Sequence, residues 1–237
     1  IDYSTAGQGY YMASADFDND GDIDTVTSNY SNGNVSVLMN NGSGALGTKV
    51  DYGTATNPFG ITVGDIDSDG DNDIVVTNAG SASVSVLKNN GNGTFATKVD
   101  YTTAATPRGV ALAYIDGDGD LDLIAATQGG GASVLKNNSN GTFAAKNDYA
   151  GACNVGGVAT GDIDGDGDTD IVLTNGCGSS ISVLKNSGTG TFAAKVDYTT
   201  VSQSSGIVLT DLDGDGDLDV ATDSGNTAFL SILLNSG

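Results

Sequence analysis

Asp65-Ile66-Asp67-Ser68-Asp69-Gly70-Asp71-Asn72-Asp73, followed at once by Ile74-Val75-Val76-Thr77, decides how this chain is read. Five carboxylates alternate through nine residues, with Gly at the sixth position. The pattern recurs as Asp16, Asp18, Asp20, Gly21, Asp22, Asp24. It recurs again as Asp162, Asp164, Asp166, Gly167, Asp168, Asp170 and as Asp211, Asp213, Asp215, Gly216, Asp217, Asp219. A fifth copy reads Tyr114, Asp116, Asp118, Gly119, Asp120, Asp122. The copies open at residues 16, 65, 114, 162 and 211, in steps of 49, 49, 48 and 49. A fixed period of that length marks a repeat architecture.

Each acidic loop has a chemical logic. Four or five carboxylates in nine residues repel strongly unless a cation sits among them. Ca2+ takes six to eight oxygens, and carboxylates at positions 1, 3 and 5 converge on it when the chain curls, with Gly at position 6 making the turn. Position 7 is expected to offer its backbone carbonyl and position 9 to return a carboxylate. The helix-flanked form of such loops carries a bidentate Glu at position 12. Here Thr27, Val76, Ala125, Leu173 and Thr222 stand there, so position 9 is expected to take the bidentate role. Mg2+ suits the pattern less, because it holds to octahedral geometry and keeps its waters. The third loop has Tyr114 at position 1, and a phenol is a poor ligand at neutral pH. The expectation is four strong Ca2+ sites and a weaker or empty third site.

Outward from the loops, each unit shows four short strand segments bounded by Gly or Asn. In the second unit these are Ile61 to Gly64 (a), Ile74 to Thr77 (b), Ser83 to Leu87 (c) and Phe95 to Tyr101 (d). Four short strands per repeat of this length predict an all-β propeller of four-stranded antiparallel blades. Strand a is poor in bulk, as the crowded inner wall of a ring requires. Phe95, Phe143 and Phe192 recur, and so do Tyr3, Tyr52, Tyr101, Tyr149 and Tyr198; these predict packing between blades. The chain opens on the tail of a strand d, at Ile1-Asp2-Tyr3, and closes on a strand c. Residues 1–237 therefore read as one five-bladed propeller whose N-terminal strand joins the last blade. A fragment of a larger ring is the alternative.

Composition agrees with this reading. The 237 residues carry 30 acids, all Asp, against 8 bases, for a formal charge of -22. Gly is 36 and Pro only 2, which favours tight turns over long helices. The charge speaks against nucleic-acid partners, whose phosphates would be repelled. No run has the length of a membrane-spanning helix, so no membrane insertion is expected. Loops of modest affinity need extracellular calcium, which predicts a secreted or cell-surface setting. Without His, Glu or Trp, no Ser-His-Asp or Cys-His set can form, and no enzyme is expected. The metal loops take 24 of the 30 Asp; of the rest, Asp2, Asp51, Asp100, Asp148 and Asp197 recur once per unit and look structural.

These residues resemble the FG-GAP/VCBS family of calcium-loop propeller repeats, including the integrin alpha-subunit head and relatives among fungal and bacterial lectins. The resemblance covers essentially the whole chain. The Phe-Gly element survives as Phe59-Gly60, and more weakly as Arg108-Gly109, Val155-Gly156 and Ser205-Gly206. The family's closing Gly-Ala-Pro element is absent; Thr77-Asn78 and Thr174-Asn175 stand there. The resemblance implies Ca2+ between strands a and b on one face, and adhesion or ligand binding on the other.

On that opposite face, register places several further candidates. Cys153 and Cys177 either form a local disulfide or remain separate thiols. Tyr10, Tyr11 and Tyr30 break the pattern of the first unit and read either as a recognition patch or as a seam-stabilising cluster. Arg108 is the only Arg and falls on the same face, where it serves either a ligand carboxylate or a surface ion pair. The functional expectation is a binding or adhesion scaffold for a protein or glycan ligand. The alternatives are a lectin-like protein with pockets between blades, or a structural module of a larger surface protein. The sequence does not specify oligomeric state.

Overall fold

The computed structural model describes residues 1–151, 153–225 and 228–237. Apolar residues cluster just after each acidic loop, and β-branched side chains there favour extended backbone. The result is a succession of antiparallel sheets. The first contains β1 (Gly9–Ala15), β2 (Asp24–Asn29), β3 (Asn34–Leu38) and β4 (Val50–Gly53). The second contains β5 (Pro58–Gly64), β6 (Asp73–Asn78), β7 (Ser83–Leu87) and β8 (Val99–Thr102). The third contains β9 (Pro107–Ala113), β10 (Asp122–Thr127), β11 (Gly131–Leu135) and β12 (Asn147–Ala150). The fourth contains β13 (Val158–Gly161), β14 (Asp170–Thr174), β15 (Ser180–Leu184) and β16 (Val196–Thr199). The last contains β17 (Ile207–Thr210), β18 (Asp219–Asp223) and β19 (Leu230–Leu233). Strands follow in chain order within each sheet, so every acidic loop joins a sheet's first strand to its second.

The second and third strands of the inner sheets are buried on both faces, as in β6 and β7, where every residue is buried. The apolar clusters lie between successive sheets. Val26 and Val37 meet Ile74, Val76 and Phe95 between the first two. Val75 and Val86 meet Leu123 and Phe143 between the next two. Ile124 and Val134 meet Ile171, Leu173 and Phe192 after that, and Val172 and Val183 meet Val220 at the end. The recurring aromatics straddle these boundaries. Tyr52 on the first sheet sits edge-on to Phe95 of the second at 5.2 Å, and Tyr101–Phe143 and Tyr149–Phe192 repeat the contact. Leu46 takes the place of Phe in the first unit, where its N–H donates to the Tyr3 hydroxyl.

The first strands face inward and approach closely. A Cβ at Gly60 would stand 2.0 Å from the Arg108 carbonyl oxygen, and one at Gly157 would stand 2.6 Å from that of Ser205. Bulk is therefore excluded where the inner strands meet. Tyr11, Ile61, Val110, Val158 and Ile207, one from each sheet's first strand, line a common central cavity.

Two boundaries differ from the sequence reading. Phe95 makes only an isolated bridge to Asn89, and the fourth strand starts at Val99. The Ala96 N–H closes the turn on the Lys88 carbonyl, so pairing with β7 resumes further along. The fifth sheet has three strands, and residues 1–8 form none, so the expected pairing of the N-terminus with β19 is not among the strand pairings of the described residues. The uncovered β19 is correspondingly exposed, with Leu230 at 64% and Ile232 at 45%, where its counterpart β7 is wholly buried.

Candidate metal centre

In the first, second, fourth and fifth loops the position 1 Asp accepts the position 6 N–H, which curls the chain. In the second, Asp65 accepts from the N–H groups of Asp69 (3.1 Å) and Gly70 (3.0 Å), and Asp69 accepts from Asp71 (3.0 Å). Gly70 holds φ +93°, a conformation costly to any residue with a Cβ. Position 4 is also left-handed, filled by Asn19, Ser68, Gly117, Gly165 and Gly214. Asn, Ser and Gly tolerate that region better than branched residues, a signal sequence reasoning passed over. Position 2 plugs the loop into the core: Phe17, Ile66 and Ile115 are buried.

Position 9 is the anchor. Asp24, Asp73, Asp122, Asp170 and Asp219 begin the second strands and are all fully buried. In each, one oxygen accepts from the position 2 N–H, as from Ile66 to Asp73 at 3.2 Å. The other accepts from the N–H of an Asn after the third strand, as from Asn89 at 2.7 Å. These bonds fix the carboxylate, and its remaining lone pairs are what a cation can use. Burial pushes Asp73 up to about 7 and Asp122 up to about 6, and raises Asp170 as well. In Asp219, backbone N–H bonds from Asn235 and Leu212 hold the carboxyl below its ordinary value.

Carboxylate oxygens of Asp16, Asp18 and Asp24 lie within 4.8 Å of one another, as do those of Asp65, Asp67 and Asp73. The fourth and fifth loops gather Asp162, Asp164, Asp170 and Asp211, Asp213, Asp219 in the same way. Like charges at that spacing repel by about 1 kcal/mol in water and about 3 kcal/mol near a protein surface. Asp16 Oδ1, Asp18 Oδ1, Asp67 Oδ1 and Asp120 Oδ2 are buried with no hydrogen-bond donor. Buried acceptors are normally paired, so these oxygens fit a hard cation. Positions 1, 3 and 9 thus form the cluster. Position 5, expected to converge with them, does so in the third loop alone. There Tyr114 is 58% exposed, and the set becomes Asp116, Asp118 and Asp122. In every loop position 5 accepts the position 7 N–H: Asp20 from Asp22, Asp69 from Asp71, Asp118 from Asp120, Asp166 from Asp168 and Asp215 from Asp217. The position 7 carboxylates are half-buried and lie against neighbouring turns: Asp22, Asp71, Asp168 and Asp217 stand beside Gly42, Gly91, Gly188 and Gly237.

Two recurring residues brace the loops, and neither was assigned a role from sequence. The Asn after the third strand reaches into the loop of the preceding unit. Asn89 donates to the Phe17 carbonyl, Asn137 to Ile66, Asn186 to Ile115 and Asn235 to Ile163. A lysine one residue earlier pairs with position 3: Lys88–Asp67 at 2.9 Å, Lys136–Asp116 at 3.2 Å and Lys185–Asp164 at 2.9 Å. The Lys185 bond holds Asp164 below its ordinary value. Met39 and Leu234 replace the lysine in the first and last units. The Asp residues outside the loops are structural in part: Ser36, Ser85, Ser133 and Ser182 donate to Asp51, Asp100, Asp148 and Asp197. Lys49, Lys98, Lys146 and Lys195 pair with the same four carboxylates.

The remaining candidates lie at the opposite end of the strands. Cys153 and Cys177 are joined as a disulfide, with Cα atoms 5.8 Å apart. Tyr10 and Tyr11 lie within β1, not before it, beside a break in its register, and Tyr30 follows β2. They surround Phe59, which stacks on Tyr10 at 5.0 Å and meets Tyr11 at 5.2 Å and Tyr30 at 6.3 Å. The Arg108 guanidinium lies over the same ring at 4.6 Å. Structure thus brings all four residues of the expected patch together, around an aromatic that the sequence reading had assigned only to the Phe-Gly motif.

The description FG-GAP-like repeat matches the chain four times, at residues 16–76, 65–125, 114–173 and 162–222. No curated protein matches it in sequence. Among solved structures, it is similar to BBS1N from a complex with ARL6DN (14% identity, TM-score 0.61, covering 95% of this chain and 63% of that one). It is also similar to a streptogramin B lyase (17% identity, TM-score 0.61, covering 90% and 61%). A third likeness is the V. cholerae biofilm matrix protein Bap1 (21% identity, TM-score 0.53, covering 91% and 34%). The chain therefore spans about three-fifths of the first two neighbours, and identities this low speak for the fold alone. Five acidic loops at a constant period, each between a sheet's first and second strands, and a repeat match running through most of the chain place it in the FG-GAP-like repeat family.

Proposed function

We propose that this protein is a secreted or cell-surface calcium-binding propeller, stiffened by Ca2+ in its acidic loops, that presents a recognition surface at the opposite end of its strands. The carrying observation is the set of buried carboxylate oxygens without donors at Asp16, Asp18 and Asp67. A divalent ion would satisfy them and cancel the repulsion within each cluster. Bound there, it would supply structural cross-linking between positions 1, 3 and 9. The protein's own part is to pre-fold each loop through the position 1 and position 9 carboxylates. The ring is read as five blades, completed by residues 1–3 against β19; a larger ring is the second reading, favoured by the exposed outer edge of β19. Nothing in the site calls for catalysis, and the reading is of a binding protein with a protein or glycan ligand.

A lectin-like function is the competing reading. It is favoured by clefts that recur on the non-metal face, one lined by Tyr30, Asn32, Thr54 and Asn57, another by Ala104, Gly129 and Tyr149. A glycan array probed with calcium-loaded and chelated protein separates the readings. Calcium-dependent hits support the lectin; binding to a protein partner with no glycan hit supports the adhesion scaffold.

A further inference from the structure

One seat recurs where an acidic loop meets the following unit. In the second unit it holds Lys88, whose ammonium lies 2.9 Å from Asp67 at position 3 and donates to the Asn140 carbonyl in the third unit's turn. In the third unit it holds Lys136, 3.2 Å from Asp116 and donating to the Thr189 carbonyl in the fourth unit's turn. A glycine of that turn roofs each side chain. A Cβ at Gly141 would stand 2.7 Å from Lys88 Nζ, and one at Gly190 would stand 3.0 Å from Lys136 Nζ. In the first unit the same seat, under Gly93, holds Met39. A Cβ at Gly93 would clash with Met39 Cε and stand 3.2 Å from the Asp18 Cβ, so the thioether lies beside position 3 as the lysines do and brings no charge.

Cations are scarce in this chain, at 8 against 30 acids, yet three of them stand on position 3 carboxylates. The unsatisfied oxygens run in the same order as the seats. At positions 1 and 3 the first loop has Asp16 Oδ1 and Asp18 Oδ1 without a donor, the second has Asp67 Oδ1 alone, and the third has none. In the third, Asp116 accepts the Asp118 N–H at 3.4 Å on one oxygen and pairs with Lys136 through the other. An exposed ion pair contributes little when two long side chains must be ordered to make it. Here the lysine is already held between its own loop and the next unit's glycine. Its charge relieves the repulsion among the loop carboxylates when no metal is present, and opposes the metal when one arrives.

We infer that the residue in this seat decides how far each loop depends on calcium. Lys88 and Lys136 are resident cations that keep the second and third loops curled without metal, and in the third Lys136 takes the metal's part altogether. The first loop, with Met39 in the seat, keeps its curl only when loaded. The inference rests on the proposed calcium loading and adds an order of loss to it: as calcium falls, the first loop opens while the two after it stay closed.

Hydrogen–deuterium exchange of the full chain, resolved by peptide in calcium and in chelator, tests this. The Gly21 and Asp22 amides of the first loop should exchange about tenfold faster in chelator than in calcium, and the Gly70 and Asp71 amides of the second by less than about threefold. The swaps use residues that the seat already holds. Met39→Lys should bring the first loop's response down to that of the second, and Lys88→Met should raise the second to that of the first. Lys136→Met should speed third-loop exchange alike in both buffers, because without a position 1 carboxylate calcium does not replace the ammonium. Thermal melts identify a swap that fails to fold, and the other swap then decides. Equal responses of the first and second loops in the unaltered chain, or folded swaps that leave the responses unchanged, would overturn the inference and leave the calcium reading standing. No response to calcium in any loop would sink both.

Discussion

Asn137→Ala is the sharpest probe of how the loops are joined. Asn137 is buried at 6% exposure, and its Nδ2 donates to the Ile66 carbonyl at 2.7 Å and the Leu121 carbonyl at 3.1 Å. Its Oδ1 accepts the Gly141 N–H at 3.0 Å. Truncation removes these three bonds and a longer fourth, from the Asn140 N–H at 3.4 Å; the three short ones, at about 1 kcal/mol each, come to about 3 kcal/mol. For a domain of this size that corresponds to a fall in melting temperature of about 6–12 °C. The backbone bond from the Asn137 N–H to Asp122 at 2.7 Å is untouched, so the position 9 carboxylate keeps its support. Asn138→Ala is the control: its side chain makes one exposed bond, to the Thr142 hydroxyl at 3.0 Å, and should cost under about 0.5 kcal/mol. Denaturant unfolding in excess calcium measures both. A cost for Asn137→Ala no larger than for Asn138→Ala refutes the claim that these asparagines tie successive loops together.

Other outcomes follow from the same geometry. In chelator, Asp73 at about 7 and Asp122 at about 6 hold more protons folded than unfolded, so their contribution is complete below about pH 4 and is lost as pH rises through those values. The shift at Asp73 corresponds to at most about 4 kcal/mol, and screening on the solvent side of the loop reduces it to about 2 kcal/mol. Asp164 and Asp197, held low by hydrogen bonds from Lys185 and Lys195, add stability already complete above about pH 4 and lost only as pH falls through their folded values. Unfolding curves from pH 4 to 8 should therefore show the metal-free chain weakening, and a gain in stability over that range would contradict the assignment. With calcium the trend should reverse, since acid displaces the ion. Tyr114→Asp restores the position 1 carboxylate, and should raise third-site affinity at least tenfold in a calcium titration. Lys88→Met removes a cation 2.9 Å from Asp67 and should tighten the second site about fivefold, about 1 kcal/mol at surface screening.

Much of this molecule was legible in its sequence. The period placed every loop, and β-branched runs after each loop placed the second strands. The close approach at Gly60 and Gly157 bears out the reading of a small-residue inner wall. What escaped was whatever depends on contacts between units. Asn89, Asn137 and Asn186 read as turn residues, because nothing local shows that their amides cross to the preceding loop. Lys88 follows a strand end and looks solvated until the fold brings Asp67 of its own unit and the Asn140 carbonyl of the next to it. Phe59 read as a motif residue, and only the packing of three sheets makes it the centre of an aromatic cluster under Arg108. The fourth strand was set too early because Phe95 is apolar and strand-like, while its role is to meet Tyr52 across the sheet boundary.

Calcium titration into the chelator-stripped chain, read by calorimetry and paired with melts in chelator and in calcium, tests the central claim most directly. Four tight binding events, a weaker or absent third-loop event, and a large rise in melting temperature on loading are expected. No calcium heat, together with the same melting temperature in chelator and in calcium, would contradict it.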